Sequence, residues 1–359
     1  MKKIFFTPGP SQLYPTVPGH IKRSLENNIS SISHRSDTFH AIFEDSVSSF
    51  KKLYSIPKEN YVFFLSSATE CMERIIENLV VKKSLHFVNG SFSNLFFSIS
   101  ASLGIDAHKI EEPMGSGFNI ENAKVPPGIE LACFTQNETS TGVATPLKDI
   151  YHFKKINPNT VIALDIVSCA PYPDVDFSII DCVFFSVQKG FGLPAGLGIL
   201  VIKPDVLERL KYVKKKKTTL GSYHTFENLL KYYQKSETPE TPNVFYIYLF
   251  GQICKDFQKV GLHKIRKDTE NKSQLIYDLE KNKSFSPFVQ EDRLRSKTTI
   301  VLNVKNGSKS LILSLKKKGL VVGGGYRELK EKQIRIANFP AHSITDVKKL
   351  LFAIQSFRN

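Results

Sequence analysis

Lys189 stands where an apolar run stops. The segment Val183-Phe-Phe-Ser-Val-Gln-Lys-Gly-Phe-Gly-Leu-Pro-Ala-Gly-Leu-Gly-Ile-Leu-Val-Ile202 reads as a buried strand ending at Gln188-Lys189, a glycine-rich turn and a second apolar strand. A lysine held there loses hydration, its pKa falls, and the neutral amine can attack a carbonyl. On this segment alone, a lysine leaving the sheet for solvent reads equally well. Asp165 ends a second apolar run, Thr160-Val-Ile-Ala-Leu-Asp165. An ionised carboxylate at such a place needs a partner, and a protonated pyridine nitrogen is one. The competing reading is an aspartate that caps the following turn. One strand–connection–strand unit separates the two residues. A Schiff-base lysine joined to an acid that keeps a pyridine ring charged is the arrangement of a pyridoxal phosphate (PLP) site.

Three more strand ends suit the same group. Ser66-Ser67-Ala68-Thr69 follows an apolar run and opens a helix, where backbone N–H groups and hydroxyls can hold a phosphate. An ordinary helix cap is the commoner use of such residues. Phe92, in Asn89-Gly-Ser-Phe92, could stack on a pyridine face, although a core phenylalanine reads the same way. Asn137-Glu-Thr-Ser-Thr-Gly142 offers hydroxyl and amide groups to a ring oxygen, or is simply a polar turn.

The elements that must position these residues repeat one pattern between residues 61 and 202. Short runs rich in Val, Ile and Phe at 61–65, 85–88, 129–134, 160–164, 181–187 and 198–202 alternate with turns and helical segments. That pattern predicts an α/β fold, a mostly parallel sheet with helices on both faces and its ligand beyond the carboxyl ends of the strands. Helices are predicted at 39–53 and 69–80 from apolar residues at three-to-four spacing. Pro239 and Pro242 break helix-forming sequence near 236–243. Beyond them, helices are predicted at 244–260 and 261–281, and strands at 298–304 and 333–336. The organisation expected is an N-terminal arm (1–15), a large domain (16–243) and a small α+β domain (244–359).

Composition bounds the rest. With 359 residues, 41% of them hydrophobic, the chain can bury a large core. No run reaches the ~18 apolar residues needed to span a bilayer. The basic start Met-Lys-Lys-Ile-Phe-Phe stops being apolar at Thr7, too soon for a signal peptide, so a cytoplasmic protein is expected, with no membrane partner. Five scattered cysteines without a C-x-x-C pair read as reduced thiols filling the core, and no metal site is expected. The 49 Lys+Arg against 34 Asp+Glu leave a net charge of +15, densest at Lys211-Tyr-Val-Lys-Lys-Lys-Lys217. No zinc-finger spacing or aromatic RNA-binding signature accompanies it, so it reads as a solvated basic face that guides anionic substrates rather than nucleic acid.

In motif content and order, over nearly its whole length, the chain resembles class V aminotransferases of PLP fold type I, and most of all the phosphoserine aminotransferases. The matching residues are Thr7-Pro-Gly-Pro10, Ser33-His-Arg35, Asn137-Glu-Thr139 with Gly142, Asp165 and Ser186-Val-Gln-Lys189. They continue with Glu240-Thr-Pro242 and Phe245, Val321-Val-Gly-Gly324, and Arg335 in Ile334-Arg-Ile-Ala-Asn338.

The resemblance implies a large domain with a mostly parallel seven-stranded sheet, a small α+β C-terminal domain, and a ping-pong transamination. It implies that Lys189 forms the Schiff base and carries the proton, Asp165 meets the pyridine nitrogen, Phe92 stacks on the ring and Thr139 meets the phenolic oxygen. Ser67, Ala68, Thr69 and Gln188 would surround the phosphate, helped by Thr241 of a neighbouring subunit, which implies a homodimer with shared active sites. Arg335 would hold the substrate α-carboxylate, while His34 and Arg35 would face its side chain. The implied substrates are phosphoserine and 2-oxoglutarate.

Some positions depart from the phosphoserine pattern. The His-Arg pair usual before Val-Val-Gly-Gly reads Gly319-Leu320, and the Gly-Gly-Gly-Arg phosphate loop reads Ser67-Ala-Thr-Glu70. That loop, Gly325-Tyr-Arg-Glu-Leu-Lys-Glu-Lys-Gln-Ile-Arg335 and Ser33-His-Arg-Ser36 are closer to alanine–glyoxylate and serine–pyruvate aminotransferases, the alternative reading. A desulfurase-type lyase would need a mobile cysteine in the second half, where only Cys254 lies, in an apolar helix. A nucleic-acid-binding protein that retains the fold is the reading from a different class, and a PLP-binding regulator without turnover is a further one.

Overall fold

One residue step separates the two faces of the central sheet. In the computed structural model, which describes residues 3–217 and 220–357, Phe184 packs into the core on one side and Phe185 into the core on the other. Successive side chains of a strand point to opposite faces, so a strand covered on both sides must be apolar throughout.

In chain order, β1 (Ile4–Phe6) precedes α1 (Val17–Glu26) and α2 (Asp37–Tyr54). Then come β2 (Tyr61–Leu65), α3 (Ala68–Leu79), β3 (Lys83–Val88), α4 (Ser91–Ser102) and β4 (Asp106–Glu111). β5 (Leu131–Thr135) leads to a small hairpin of β6 (Asn137–Glu138) and β7 (Val143–Ala144), followed by α5 (Leu147–Ile156) and β8 (Val161–Asp165). After β9 (Cys182–Ser186) and β10 (Gly198–Ile202) run α6 (Val206–Lys216), α7 (Phe226–Tyr233), α8 (Val244–Val260) and α9 (Leu262–Tyr277). The rest is β11 (Phe285–Pro287), β12 (Thr299–Val304), α10 (Lys309–Lys317), β13 (Leu320–Gly324), β14 (Gln333–Ala337) and α11 (Ile344–Gln355).

The large sheet has the order β2-β10-β9-β8-β5-β3-β4. Only β10 runs antiparallel to its neighbours; the other adjacent strands are parallel. The carboxyl ends of β2, β3, β5, β8 and β9 therefore open on one edge. The α/β fold with a mostly parallel seven-stranded sheet is thus present. The predicted runs at 61–65 and 198–202 coincide with β2 and β10, and the others lie within two residues of their strands.

Sequence reading missed β6, β7, β11 and β13 and, more instructively, β4 and β1. β4, Asp-Ala-His-Lys-Ile-Glu, is a half-exposed edge strand with no apolar run to betray it. β1 pairs with β13 of a second, five-stranded sheet of order β1-β13-β14-β12-β11. The N-terminal arm is thus built into the small sheet, where Phe6 joins its core.

Helix α3 shows how the flanking layer is specified. Cys71, Met72, Ile75, Ile76 and Leu79 recur at helical spacing and all are buried. Its N-cap is Ser67, whose hydroxyl accepts from Glu70 N–H at 3.1 Å. On the opposite face, Phe250 of α8 packs with Phe50 of α2 and with Phe185 and Phe191. α8 therefore belongs to the core of the large sheet, although it follows the proline break used to place the small domain. Ile265 of α9 is still in that core, whereas Ile276 lies in the core of the small sheet. We propose that the division between the two bodies falls inside α9. The five cysteines are buried and unpaired.

Candidate active site

The carboxyl ends of the large sheet and one face of the small sheet enclose a cavity of about 410 Å³. Ser67, Ala68, Thr69, Phe92, Thr139, Asp165, Gln188, Lys189 and Arg335 all line it. Each comes from a different place in the chain: Ser67–Thr69 from the start of α3, Phe92 from the first turn of α4, Asp165 from the last residue of β8, Lys189 from the turn after β9.

Lys189 is 6% exposed, and its Nζ donates to Thr139 Oγ1 at 3.0 Å. It also sits 5.1 Å from the centroid of the Phe92 ring, over its face. Asp165 is 3% exposed and accepts from Val167 N–H at 2.7 Å. Burial pushes the Lys189 amine well below its usual range, with the charges of Asp165 and Glu138 pulling it back in part. Burial likewise raises the Asp165 carboxyl, against the Val167 N–H and the lysine charge. An amine poised to lose its proton thus shares a cavity with a carboxyl group that burial holds back from ionising.

The N-terminal arm closes one wall. A Cβ on Gly9 would come within 2.6 Å of Lys189 Cε, and its φ of +142° also favours glycine, so the arm can lie this close only without a side chain. Opposite, Arg335 on β14 donates from Nε to Gly324 O at 2.7 Å and from Nη1 to Thr139 O at 3.3 Å. Two backbone carbonyls therefore aim the guanidinium, and its outer edge is left for an anion.

The donor set fits a phosphorylated pyridine. Ala68 N–H is occupied by Ser186 Oγ at 2.7 Å, which locks the turn, while Thr69 is exposed at the N-terminus of α3. The side-chain oxygen of Gln188 has no hydrogen-bond partner among the described residues, and the N–H groups of the same amide, which donate, are the part that would meet a phosphate at the N-terminus of α3.

His34, Arg35 and Thr241 do not reach this cavity within the chain. Arg35 is exposed, forms an ion pair with Glu237 and lies over the Tyr232 ring at 4.7 Å. His34 is next to it, and Thr241 is exposed in the segment joining α7 to α8. The basic run at 211–217 lies largely on α6, where Lys211 pairs with Glu208 and Lys214 with Glu227, each at 2.6 Å.

Sequence reasoning missed Tyr326. Its ring stands 6.0 Å from Phe92 and 5.4 Å from the Arg335 guanidinium, walling the cavity between them. A lone tyrosine after a Gly-Gly-Gly run carried no periodic signal. Glu138 was visible only as the middle letter of a motif, yet it is wholly buried behind Phe92.

Sheet order, strand-end lysine and strand-end carboxylate are together those of the fold-type-I PLP enzymes. The family model for class-V aminotransferases matches residues 4–330, and the chain belongs to that family; it is an aminotransferase. A phosphoserine aminotransferase of Rhodococcus opacus (strain B4) is 28% identical over 357 residues, covering 96% of this chain and 92% of the relative. Among solved structures, a phosphoserine aminotransferase of Cytophaga hutchinsonii ATCC 33406 is 44% identical, covers 99% of each chain and superposes with a TM-score of 0.97. An alanine–glyoxylate aminotransferase of Nostoc sp. is 21% identical, with 99% of this chain and 95% of that one covered and a TM-score of 0.85, and shows the shared fold.

Proposed function

We propose that this aminotransferase holds PLP in the cavity around Lys189 and transfers the amino group of phosphoserine to 2-oxoglutarate. The observation that carries the reading is the Lys189 amine, buried, 3.0 Å from Thr139 Oγ1 and in one cavity with Asp165. PLP, when bound, supplies the electron sink that lets the substrate α-proton leave. Lys189 Nζ would anchor it and would carry the proton that leaves the substrate. Asp165 would hold a positive charge on the ring nitrogen. Phe92 would cover one ring face and exclude water, Thr139 Oγ1 would orient the phenolic oxygen, and Ser67, Thr69 and Gln188 would hold the phosphate beside Ala68, whose own N–H is given to Ser186. Arg335 binds the α-carboxylate through its free edge.

Phosphoserine as donor rests on the relatives named above and on the Ser33-His-Arg35 motif. Among the residues lining the cavity, Arg335 is the only cation besides Lys189. A second anionic group on the substrate therefore needs help from outside the chain. His34, Arg35 and Thr241 are assigned to the active site of a second copy in a cytoplasmic homodimer. A specific observation favours alanine or serine with glyoxylate or pyruvate as the second reading. Leu320, where the phosphoserine pattern has a cation, is 7% exposed and packed in the core of the small sheet.

The test is a single-turnover absorbance assay of the PLP-loaded protein with phosphoserine, glutamate, serine and alanine in separate mixtures. Bleaching of the visible band by phosphoserine and glutamate alone supports the first reading. Bleaching by alanine or serine without phosphoserine selects the second. A chain that develops no visible band with PLP overturns both.

A further inference from the structure

Behind the cavity lies a carboxylate that the proposed chemistry does not use. Glu138, in β6, has no exposed surface, and all its hydrogen-bond partners among the described residues are neutral. Its Oε2 accepts from Phe92 N–H at 3.1 Å, Ser93 N–H at 2.9 Å and Ser93 Oγ at 3.0 Å. Its Oε1 accepts from Ser140 N–H at 3.0 Å and Ser140 Oγ at 2.6 Å. Ser140 Oγ in turn accepts from Ser91 N–H at 2.9 Å. The carboxylate is thus seated on the N-terminus of α4, where exposed amides and the helix dipole favour a negative charge. The backbone leaves room for nothing else: a Cβ on Gly90 would lie 2.3 Å from Glu138 Cγ and 2.6 Å from Ser140 Oγ.

This seat joins two pieces of chain that meet the same atom. Phe92, bonded to Glu138 through its own N–H, presents its ring face to Lys189 Nζ. Thr139, the residue after Glu138, accepts from Lys189 Nζ. We infer that Glu138 is a positioning residue, which fixes the Phe92 ring and the Thr139 hydroxyl against Lys189 and sets the electrostatic field at its amine. A neutral helix cap would satisfy the same amides without placing an uncompensated charge behind the site, which is what distinguishes this role from ordinary capping.

The field has a definite sign. The charged and titratable groups around Lys189 are Asp165 from β8, Arg335 from β14, Cys169 after β8, and Glu138. Asp165, Glu138 and Cys169 favour its protonated form, and Arg335 opposes it. Removing the Glu138 charge therefore lowers the pH at which the Lys189 nitrogen, free or joined to the cofactor, gives up its proton.

The inference rests on the PLP reading above, and the experiment separates the two. The variants are Glu138→Gln, which keeps the shape and removes the charge, and Ser140→Ala, which removes one hydroxyl that holds the carboxylate. The readouts are the pH titration of the visible absorbance band of the PLP-loaded protein, the affinity of the cofactor-free chain for PLP, and its thermal unfolding. For Glu138→Gln the band is expected to titrate about one pH unit lower, with PLP affinity reduced roughly ten-fold. Ser140→Ala should move both in the same direction by less, with unfolding close to the parent. Unchanged titration in the two variants overturns the inference while leaving the PLP reading intact. Failure of both to fold assigns Glu138 to the core alone and overturns it as well. Absence of the band from the unmodified protein overturns the PLP reading and this inference with it.

Discussion

Two clusters of buried charge share the first turn of α3, and they treat their charges in opposite ways. In one, His224 lies between two carboxylates, 2.5 Å from Glu70 and 2.7 Å from Glu240. Burial alone would lower the His224 pKa, but the hydrogen bonds to Glu240 and Glu70 outweigh it and raise it to about 9. Burial is outweighed at Glu70 too, where bonds from His224 and Ser66 bring the carboxyl down to about 2. In the other cluster, Lys189 gives its hydrogen bond to Thr139, Asp165 takes one from Val167, and burial wins at both. The charges around His224 are paired on the spot. Those at Lys189 and Asp165, which the proposed function gives to a ligand, are left short of a partner, and the surrounding structure carries the cost.

The comparison can be broken by removing its members in turn. Lys189→Ala should slow the amino-donor half-reaction by about 10³-fold or more, with unfolding temperature unchanged or raised. Retention of turnover within ten-fold, measured by single-turnover absorbance, would end the distinction between the clusters. Asp165→Asn should slow the same step by about 10²-fold while PLP still binds. It should also remove a pH slope. A carboxyl whose folded pKa is raised stays protonated in the folded state while the unfolded chain ionises, so stability falls as pH rises from its unfolded value of about 4 toward neutrality. Thermal unfolding of the cofactor-free parent should show that fall, and the variant should show less of it.

Arg335→Lys comes next, with kcat/KM for the donor reduced about ten-fold or more, mainly through KM, because an ammonium cannot reproduce the fork. The smallest effect is expected from His224→Asn, a loss of a few degrees in unfolding temperature with no direct effect on chemistry. Its pH window follows from the two shifts. The raised histidine contributes fully below its unfolded value of about 6.5 and is lost as pH rises through about 9. The depressed Glu70 contributes above its unfolded value of about 4.5 and is lost as pH falls through about 2. The gap between parent and variant should therefore be widest near pH 5–6 and close at high pH. A gap that persists above pH 9 would mean that packing, not charge, holds the cluster.

What the sequence disclosed follows the same physics. Strands buried on both faces must be apolar without interruption, so β2, β8, β9 and β10 stood out, and with them the polar residues Asp165 and Lys189 that end or follow them. Residues placed by long-range packing had no such signature. Tyr326 reaches Arg335 and Phe92 only because β13 and β14 fold over the carboxyl ends of the large sheet. The acids beside His224 come from α3 and from the segment after α7, and no spacing connects them. Proline-broken sequence before α8 looked like a domain boundary, yet a break in backbone regularity does not decide which core a helix joins. Phe250 and Phe257 decide that, by meeting Phe50 and Phe191.

The pairing of Ile4 with Leu320 has a kinetic consequence. A strand from one end of the chain is registered against a strand from near the other, and the segment that follows it covers Lys189. Loop closure over such a separation is slow compared with the local βα units of the large sheet, which can assemble among themselves. A nascent or refolding chain should therefore complete the wall carrying Lys189, Asp165 and Thr69 well before the arm settles across it. Lys189, 6% exposed with the arm in place, would be more open to a bulky aldehyde before the arm docks. Cofactor uptake would accordingly be fastest during folding, and its escape afterwards would be limited by how often that first strand lets go.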